Sequence, residues 1–425
     1  MKKVVLVGQF SDISGYGNAV RSYLKSLLIL HQNKEIDLKL VNSSFENTNA
    51  DDFINFDENI KKLFLFKDTN EVKTIEKEFD ELIAQEYELI FFLTNNNLLI
   101  GSDITTKHFR YRNDPPGVNR INLSFLVKNA KNVFPCVVWE TDTIPEDWKL
   151  AYEQTPNIKS LICACGWNKE VFEKQSGIEG AVIPYHSSYN VECDDSLYQK
   201  LLKAKKDNFS FCSVSQWGPR KGFDTLLKAF FLEFKEEPVN LFLKTYVNKA
   251  LTLQDETEYL TNEINKIKKQ IRFYGKERDF KCKVVLINSI LSKKEINSIY
   301  KASETYVTCT RGEGFGLPLA EYLNFGKPII IPDKGGHVDF CSEDNFFINS
   351  EYEPCLLVNH PPYSADMKYV ECSISSAMQE MRKAYELFKT NKEEYYNRGE
   401  KSKQYMLDYL DLDKNASLFR QVLEL

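Results

Sequence analysis

Two glutamates, Glu313 and Glu321, stand in the glycine-rich stretch "RGEGFGLPLAEYLNFGKP". Glycines let backbone N–H groups approach a ligand closely, and such groups favour an anion such as a diphosphate. A carboxylate repels phosphate, but it accepts hydrogen bonds and suits a pair of vicinal hydroxyls. Hydroxyls flank the diphosphate of a sugar nucleotide on both sides. The pattern therefore predicts that Glu321 binds a ribose and that Glu313, a catalytic candidate, faces a sugar ring.

The residues between the two acids are predicted to bind the donor. Pro318 fits the first turn of a helix, and Gly326 fits its end. The helix follows the apolar run "TYVTCT", so it starts at the carboxyl edge of a parallel sheet, where such folds bind ligands. A tight turn with surface glutamates is the simpler alternative, but it does not need glycines around the first acid. The donor-binding candidates here are Gly314, Phe315, Gly316 and Leu317.

Two cations precede a second helix, in "SVSQWGPRKGFDTLLKAF". Arg220 and Lys221 lie where positive charge opposes the helix dipole, a local cost that an anionic ligand would offset. Arginine binds phosphate oxygens through two N–H groups at once, and lysine adds a point charge. We therefore predict that Arg220 and Lys221 are catalytic residues that stabilise a diphosphate. A charged turn at a domain surface is the alternative.

A third glycine loop follows the first apolar run, in "SGYGNAVRSYL". Gly15 and Gly17 are candidates for donor binding, and Tyr16 and Asn18 are candidates on the acceptor side. As a dinucleotide fingerprint the loop is weak, because Val20 occupies the third glycine position. A loop that approaches a phosphate or a sugar remains an open interpretation.

Short apolar runs alternate with amphipathic segments along the chain, and the alternation starts again after the polar interval "SSYNVECDDSLYQKLLKAKKDN". Runs such as "KVVLVG", "YELIFFLT" and "KPIIIP" are typical of strands buried on both faces. The fold class predicted is α/β, with two doubly wound parallel sheets. We expect domains over residues 1–190 and 191–400, with the polar interval as a linker and a helical tail over 401–425.

Composition excludes several classes of protein. The chain has 425 residues, enough for two domains, and a net charge of -6 that gives no basic face for nucleic acid. The sequence contains no run of about 18 apolar residues, so it predicts no membrane-spanning helix. The ten cysteines lie mostly in apolar runs and show no metal-ligand spacing, so free thiols in a reducing compartment are expected. We predict a cytoplasmic protein, and peripheral contact with the inner face of the membrane stays open.

Together these motifs resemble the large retaining glycosyltransferase family often called family 4, which has the two-Rossmann GT-B fold. "EGFGLPLAE" resembles its paired glutamates, "PRKGFDTLLKAF" its donor-phosphate loop, "PDKGGHVDF" its downstream glycine pair and "SGYGNAVRSYL" its first glycine loop. "VVWETDTIPEDW" and "CGWNKEVF" resemble amino-domain signatures of one branch.

The resemblance implies an acceptor domain in the first half, a donor domain in the second and a cleft between them. It assigns the ribose to Glu321, the donor sugar to Glu313 and the diphosphate to Arg220 and Lys221. Gln216 stands where many members carry an arginine. In "WETD", Glu140 and Asp142 become acceptor-side candidates.

The activity implied is retaining transfer from a nucleotide-diphosphate sugar, the co-substrate, to a hydroxyl of a glycan, a lipid-linked acceptor or a small molecule. Neither a metal nor another cofactor is expected. Three alternatives stay open: a sugar-nucleotide epimerase or a phosphorylase of the same fold, a non-catalytic module that binds sugar nucleotides, and transfer onto modified nucleic acid, which the acidic charge disfavours.

Overall fold

The computed structural model divides into two compact units. It describes residues 1–10, 15–43, 56–66, 72–92, 108–109, 120–186, 191–247, 251–271, 280–355 and 362–425. Unit 1 comprises Met1–Trp139, Thr143–His186 and Leu410–Leu425, and unit 2 comprises Glu140–Asp142 and Ser187–Tyr409. The short segment Glu140–Asp142 thus belongs to unit 2, although its sequence neighbours belong to unit 1.

Unit 1 alternates strands and helices. Its strands are β1 (Lys2–Gly8), β2 (Ile36–Asn42), β3 (Tyr87–Phe92), β4 (His108–Phe109), β5 (Arg120–Ile121), β6 (Asn132–Val137), β7 (Leu161–Cys163) and β8 (Gly180–Val182). Its first helices are α1 (Gly15–Gln32), α2 (Glu58–Lys61), α3 (Val72–Ile83), α4 (Leu123–Asn129), α5 (Glu146–Glu153) and α6 (Gly166–Ser176).

Six of these strands form a parallel sheet in the order β2-β1-β3-β6-β7-β8. Val4, Val5, Leu6 and Val7 of β1 are fully buried, as a strand covered on both faces requires. The strand order reverses between β1 and β3, and α1 follows β1, so Gly15 lies at the switch point of this sheet. Strands β4 and β5 form a separate antiparallel pair.

Unit 2 repeats the alternation. Its strands are β9 (Ser210–Val214), β10 (Asn240–Lys244), β11 (Lys283–Ile287), β12 (Thr305–Val307), β13 (Ile329–Pro332), β14 (Phe346–Ile348), β15 (Ser350–Pro354) and β16 (Lys368–Cys372). Its helices are α7 (Asp195–Lys205), α8 (Phe223–Phe234), α9 (Leu253–Gln270), α10 (Lys293–Ala302), α11 (Leu317–Leu323), α12 (Ile374–Thr390) and α13 (Lys392–Tyr409). The last helix, α14 (Leu412–Val422), lies in unit 1.

The second sheet is also parallel and has the strand order β11-β10-β9-β12-β13-β14. This is the 3-2-1-4-5-6 order of a Rossmann domain, whose ligand crevice lies outside the carboxyl ends of the two central strands. Those strands are β9 and β12. The segment with Arg220 and Lys221 follows β9, and the segment with Glu313 follows β12, so the topology brings the two predicted motifs to one place.

The predicted fold class is confirmed: two parallel sheets with helices, and a helical carboxyl-terminal segment. The polar interval predicted as a linker contains helix α7. Asp194 caps that helix by accepting a hydrogen bond from the Leu197 N–H at 2.7 Å. Lys205, in its last turn, donates to the Ala302 carbonyl at 2.9 Å, so α7 packs beside α10.

Three observations concern the sequence expectations about cysteines, metals and membranes. All ten cysteines are free, and nine of them are buried. Within the described ranges, no cluster of histidine, cysteine, aspartate and glutamate side chains is arranged to hold a metal ion. In the same part of the chain, no helix combines the length and the apolar character needed to cross a bilayer.

The backbone of helix α13 packs directly against the backbone of the turn that follows α11. A Cβ atom on Gly399 would lie 2.2 Å from the Gly326 carbonyl oxygen and 2.7 Å from the Lys327 Cα. Gly326 itself has φ of +63°, so its peptide cannot move without loss of the turn. The turn that ends α11 therefore requires a residue without a side chain, glycine, at position 399.

We expect Gly399→Ala to lower the free energy of unfolding by about 2 kcal/mol, because overpacking against backbone costs about 1–3 kcal/mol and exceeds the helix propensity that alanine gains. Urea unfolding measures the change. Gly15→Ala is the matched control, since a Cβ on Gly15 of α1 meets no atom within 4 Å. Equal stability of Gly399→Ala and the parent would contradict the contact.

Candidate functional site

The turn that carries the two predicted cations is a short 3-10 helix, Pro219–Lys221. It is followed by Gly222, whose φ is +61°, and a Cβ there would lie 1.9 Å from the Cys309 carbonyl oxygen. Only glycine allows this approach. The Arg311 N–H then donates to the Arg220 carbonyl at 2.6 Å. The loops after β9 and β12 are thus joined main chain to main chain.

The side chain of Arg311 fixes the same junction. Its guanidinium binds both carboxylate oxygens of Asp224 at 2.9 Å, and its Nε binds Glu371 at 2.6 Å. It also donates to the Pro219 carbonyl at 2.7 Å. Arg311 is only 9% exposed, and although burial lowers its pKa, Asp224 and Glu371 outweigh burial and raise it. Its charge is therefore engaged in holding the turn.

Lys221 and Glu313 form the closest ion pair of the junction. The Lys221 Nζ lies 2.5 Å from Glu313 Oε1, and both side chains are 16% exposed. Burial raises the pKa of Glu313, but the charges of Lys221 and Arg220 outweigh it and hold the pKa below its usual range. Burial and Arg220 lower the pKa of Lys221, while Glu313 opposes them. Glu313 is consequently an ionised acceptor near neutral pH.

Arg220 meets a second carboxylate. Its Nη1 donates to the Gly312 carbonyl at 2.6 Å and lies 3.4 Å from Glu140 Oε1. The Tyr363 hydroxyl donates to the other Glu140 oxygen at 3.0 Å. A Cβ on Gly312 would lie 2.6 Å from the Glu140 carbonyl oxygen, so this approach needs a glycine. The site therefore contains two cations, each of which lies next to one carboxylate.

The downstream glycine pair supports Glu313 from its other side. The Gly336 N–H donates to the Glu313 carbonyl at 2.9 Å, and Gly335 has φ of +119°. Beneath them His337 is fully buried, with Nε2 placed 2.9 Å from the Pro332 carbonyl. Its Nδ1 has no hydrogen-bond partner among the described residues, and burial lowers its pKa. The glycine pair thus fixes the backbone position of Glu313.

The four donor-binding candidates after Glu313 form the entry to α11. Gly316 has φ of +97° and caps the helix, and Leu317 is its first residue. Phe315 is 3% exposed, and its ring lies 5.0 Å from the ring of Phe340. Gly314 is buried. Phe315 therefore anchors the loop in the core, while the backbone of Gly314–Leu317 turns toward the helix.

Glu321 lies on α11 and has partners of its own. Its Oε1 is 2.6 Å from the Lys293 Nζ, and the Tyr300 hydroxyl lies 3.5 Å from Oε2. Lys293 and Tyr300 are both on α10. The Tyr300 ring meets the Tyr322 ring edge to face at 5.5 Å, which joins α10 to α11. The partners of Glu321 thus belong to α10 and differ from those of the Lys221–Glu313 pair.

The remaining candidates lie elsewhere. Gly15, Tyr16, Gly17 and Asn18 begin α1 in unit 1, where the Tyr16 ring contacts Phe92 and Asn18 accepts from Arg21 at 2.7 Å. Residues 11–14 of the predicted glycine loop lie outside the described residues. Asp142 belongs to unit 2, and its carboxylate accepts the Lys368 N–H at 2.7 Å. Among the candidate residues described, Arg220 and Glu140 form one ion pair, and Lys221 and Glu313 form the adjacent one.

Sequence reasoning missed three residues of this arrangement. Lys293 stands at the start of α10, and the dipole argument applied to Arg220 and Lys221 would have found it. Arg311 immediately precedes the glycine-rich stretch, but its role depends on Asp224 and Glu371, which are distant in sequence. For Tyr363 the sequence offers no signal.

Residues 195–354 match the family model described as glycosyl transferases group 1. The mannosylfructose-phosphate synthase of Agrobacterium fabrum is 24% identical over 124 residues, which are 29% of this chain and 25% of that enzyme. This match thus spans about a quarter of the curated relative.

Solved structures resemble the whole chain in fold. The glycosyltransferase from Rickettsia africae is 14% identical with a TM-score of 0.63, and the alignment covers 100% of this chain and 99% of that one. Anabaena HepE in complex with UDP is 12% identical with a TM-score of 0.58 and 100% coverage of both chains. An E. coli trehalose-6-phosphate structure bound with UDP-2-fluoro glucose is 12% identical with a TM-score of 0.60, covering 100% and 99%.

These similarities agree with the fold of two Rossmann-like units. The matched residues lie within unit 2 and include Arg220, Lys221, Glu313 and Glu321. The similarity to glycosyl transferases of group 1 is thus confined to residues 195–354, which lie in unit 2.

Proposed function

We propose that this protein is a retaining, metal-independent glycosyltransferase that moves a sugar from a nucleotide-diphosphate donor to a hydroxyl acceptor. The observation that carries the proposal is the convergence of Arg220 and Lys221, from the loop after β9, with Glu313, from the loop after β12. Two cations and an ionised carboxylate at a Rossmann switch point suit a substrate that joins a diphosphate to a polyhydroxylated ring.

Arg220 and Lys221 act on the leaving group. As the bond between the anomeric carbon and the diphosphate oxygen breaks, negative charge grows on the nucleotide diphosphate. Both cations are held before the ligand arrives, Arg220 by the Gly312 carbonyl and Lys221 by Glu313. Preorganised charge of this kind stabilises the developing anion without reorganisation. The leaving group is thereby stabilised by the protein's own charges.

Glu313 acts on the sugar. Because Lys221 and Arg220 hold its pKa low, Glu313 accepts hydrogen bonds from sugar hydroxyls and does not serve as a proton donor. Retention then follows if the acceptor hydroxyl attacks from the face that the diphosphate leaves, through an oxocarbenium-like state, and gives its proton to a leaving phosphate oxygen. Glu313 orients the ring during this step without a covalent bond to it.

Glu321 binds the nucleotide end of the donor. Its carboxylate is 21% exposed and can accept hydrogen bonds from the two ribose hydroxyls. Since Anabaena HepE forms complexes with UDP and with UDP-glucose, a uridine nucleotide is the donor proposed for this chain. Glu140 binds Arg220, and we propose that it is a counter-charge of the site.

A thermal-shift screen with UDP-, GDP-, ADP- and CMP-sugars tests the proposal. We expect UDP-glucose to raise the melting temperature by several degrees, because a ligand at about 100 times its Kd adds about 2.7 kcal/mol to the folded form. Product analysis with hydroxyl acceptors then separates transfer from epimerisation, which consumes no acceptor. Glu321→Ala is the control and should lose the shift. No response to any of these sugars would contradict the proposal.

Lys221→Met should lower kcat by about 100-fold, because it removes a cation from the leaving group. Steady-state kinetics measure the loss. Since the variant leaves the largely buried Glu313 carboxyl group without its closest cation, some loss of stability is also expected. The double variant Lys221→Met with Glu313→Gln removes both charges, so it should recover stability but not turnover. Near-normal kcat in folded Lys221→Met would remove this turn from the mechanism.

Glu140→Gln should tighten UDP binding about fivefold, because it removes a negative charge that now faces Arg220 and would repel the diphosphate. Titration calorimetry measures the change. Asp142→Asn is the matched control: it neutralises an acid of the same segment, one whose carboxylate accepts the Lys368 N–H. Unchanged UDP affinity with lost turnover would instead assign Glu140 to the acceptor side.

A further inference from the structure

The ion pair between Lys293 and Glu321 lies at the start of α10. Lys293 is the first residue of that helix and Lys294 is the second, so both place positive charge where the helix dipole disfavours it. Each is compensated by a carboxylate: Lys293 by Glu321 at 2.6 Å, and Lys294 by Glu192 at 2.9 Å. The two lysines are thus adjacent in the first turn of the helix, and each is paired with a glutamate. Of the two, only Lys293 contacts a residue of the proposed nucleotide site.

The pair between Lys293 and Glu321 is not a stability device. The Lys293 side chain is 39% exposed and that of Glu321 is 21% exposed. Ion pairs with this much access to water contribute little to folding, because solvent screens them and two long side chains lose freedom. The Lys293 side chain reaches from α10 to α11 and ends on the Glu321 carboxylate. We therefore look for its effect on the properties of that carboxylate.

Both ends of the pair are held rigidly. Ser292 and Glu295 form a capping box at the start of α10: the Ser292 N–H donates to Glu295 Oε2 at 2.7 Å, and the Glu295 N–H donates to the Ser292 hydroxyl at 3.3 Å. On the other helix, Glu321 directly precedes Tyr322, which is fully buried against Tyr300. The Lys293 side chain thus starts from a fixed backbone position and ends on the Glu321 carboxylate, whose own backbone is also fixed.

We propose that Lys293 is a specificity-determining residue of the nucleotide site, one that orients Glu321 so that it selects ribonucleotides with two vicinal hydroxyls. The inference rests on the proposed function of Glu321. A carboxylate only accepts hydrogen bonds, and an ammonium group only donates them. With Lys293 bound to Oε1 and the Tyr300 hydroxyl 3.5 Å from Oε2, the lone pairs of Glu321 that remain can accept from a ribose that carries both hydroxyls.

When a bound nucleotide that lacks one hydroxyl covers Glu321, it leaves a lone pair of the carboxylate without a donor. Sites built to bind a hydroxyl reject the analogue without it for this reason. A carboxylate free to rotate would instead turn toward the single hydroxyl or toward water and would discriminate poorly. Lys293 is a positioning residue on this account, and its removal should affect selectivity for the ribose more than the chemical step.

Titration calorimetry with UDP and 2′-deoxy-UDP tests the proposal. The parent protein should prefer UDP by at least about tenfold, since a hydrogen bond to a charged group is at stake. Lys293→Met, which keeps the aliphatic stem, should reduce that preference to about threefold or less with kcat little changed. Lys294→Met is the matched control and should keep the parental preference. Lys293→Arg should restore most of it.

The outcomes separate this inference from the proposed function. If Lys293→Met keeps the parental preference for UDP, the inference is overturned. If Glu321→Gln binds UDP as tightly as the parent, or the parent does not bind UDP, the proposed role of Glu321 fails and the inference fails with it. If Glu321→Gln loses affinity for UDP, and Lys293→Met but not Lys294→Met loses the preference for UDP over 2′-deoxy-UDP, the proposed role of Glu321 and the inference are both supported.

Discussion

The candidate site depends on the buried guanidinium of Arg311. Arg220 and Lys221 are adjacent cations on a three-residue turn, and their mutual repulsion would open that turn unless its backbone were fixed. Arg311 fixes it by binding the Pro219 carbonyl, while Asp224 and Glu371 satisfy its own charge. One arginine is thereby committed to structure, which leaves its two basic neighbours for the ligand.

The charge balance of the site follows from the same constraint. Cations that are largely withdrawn from water need partners, because an uncompensated buried charge costs several kcal/mol. Glu313 supplies the partner for Lys221, and Glu140 supplies one for Arg220. A bound diphosphate would therefore replace or join carboxylates that already neutralise the cations. Binding on this scheme is an exchange of anions at fixed cations, and the glycines at 222 and 312 allow the loops to come close enough for it.

Sequence patterns predicted the sheets well, because central strands such as β1 and β13 are apolar on both faces. Two three-residue edge strands, β8 and β14, were not predicted. Helix α7 was interpreted as a linker because only Leu201 of its side chains is buried, so it has almost no apolar face. The strand order was also beyond the sequence, although it is what makes the carboxyl ends of β9 and β12 neighbours.

The sequence predicted where in the fold the charged residues of the site lie, but it did not predict which charges form ion pairs with each other. Lys221 and Glu313 each follow a buried strand, so their proximity follows from a parallel sheet once those strands are neighbours. That Lys293 meets Glu321 has another origin: Tyr300 and Tyr322 pack edge to face and set the two helices side by side. Aromatic packing in the core thus decides which cation reaches which acid. A sequence shows the charges that a site contains, but the partners of those charges are chosen by side chains that never touch the ligand.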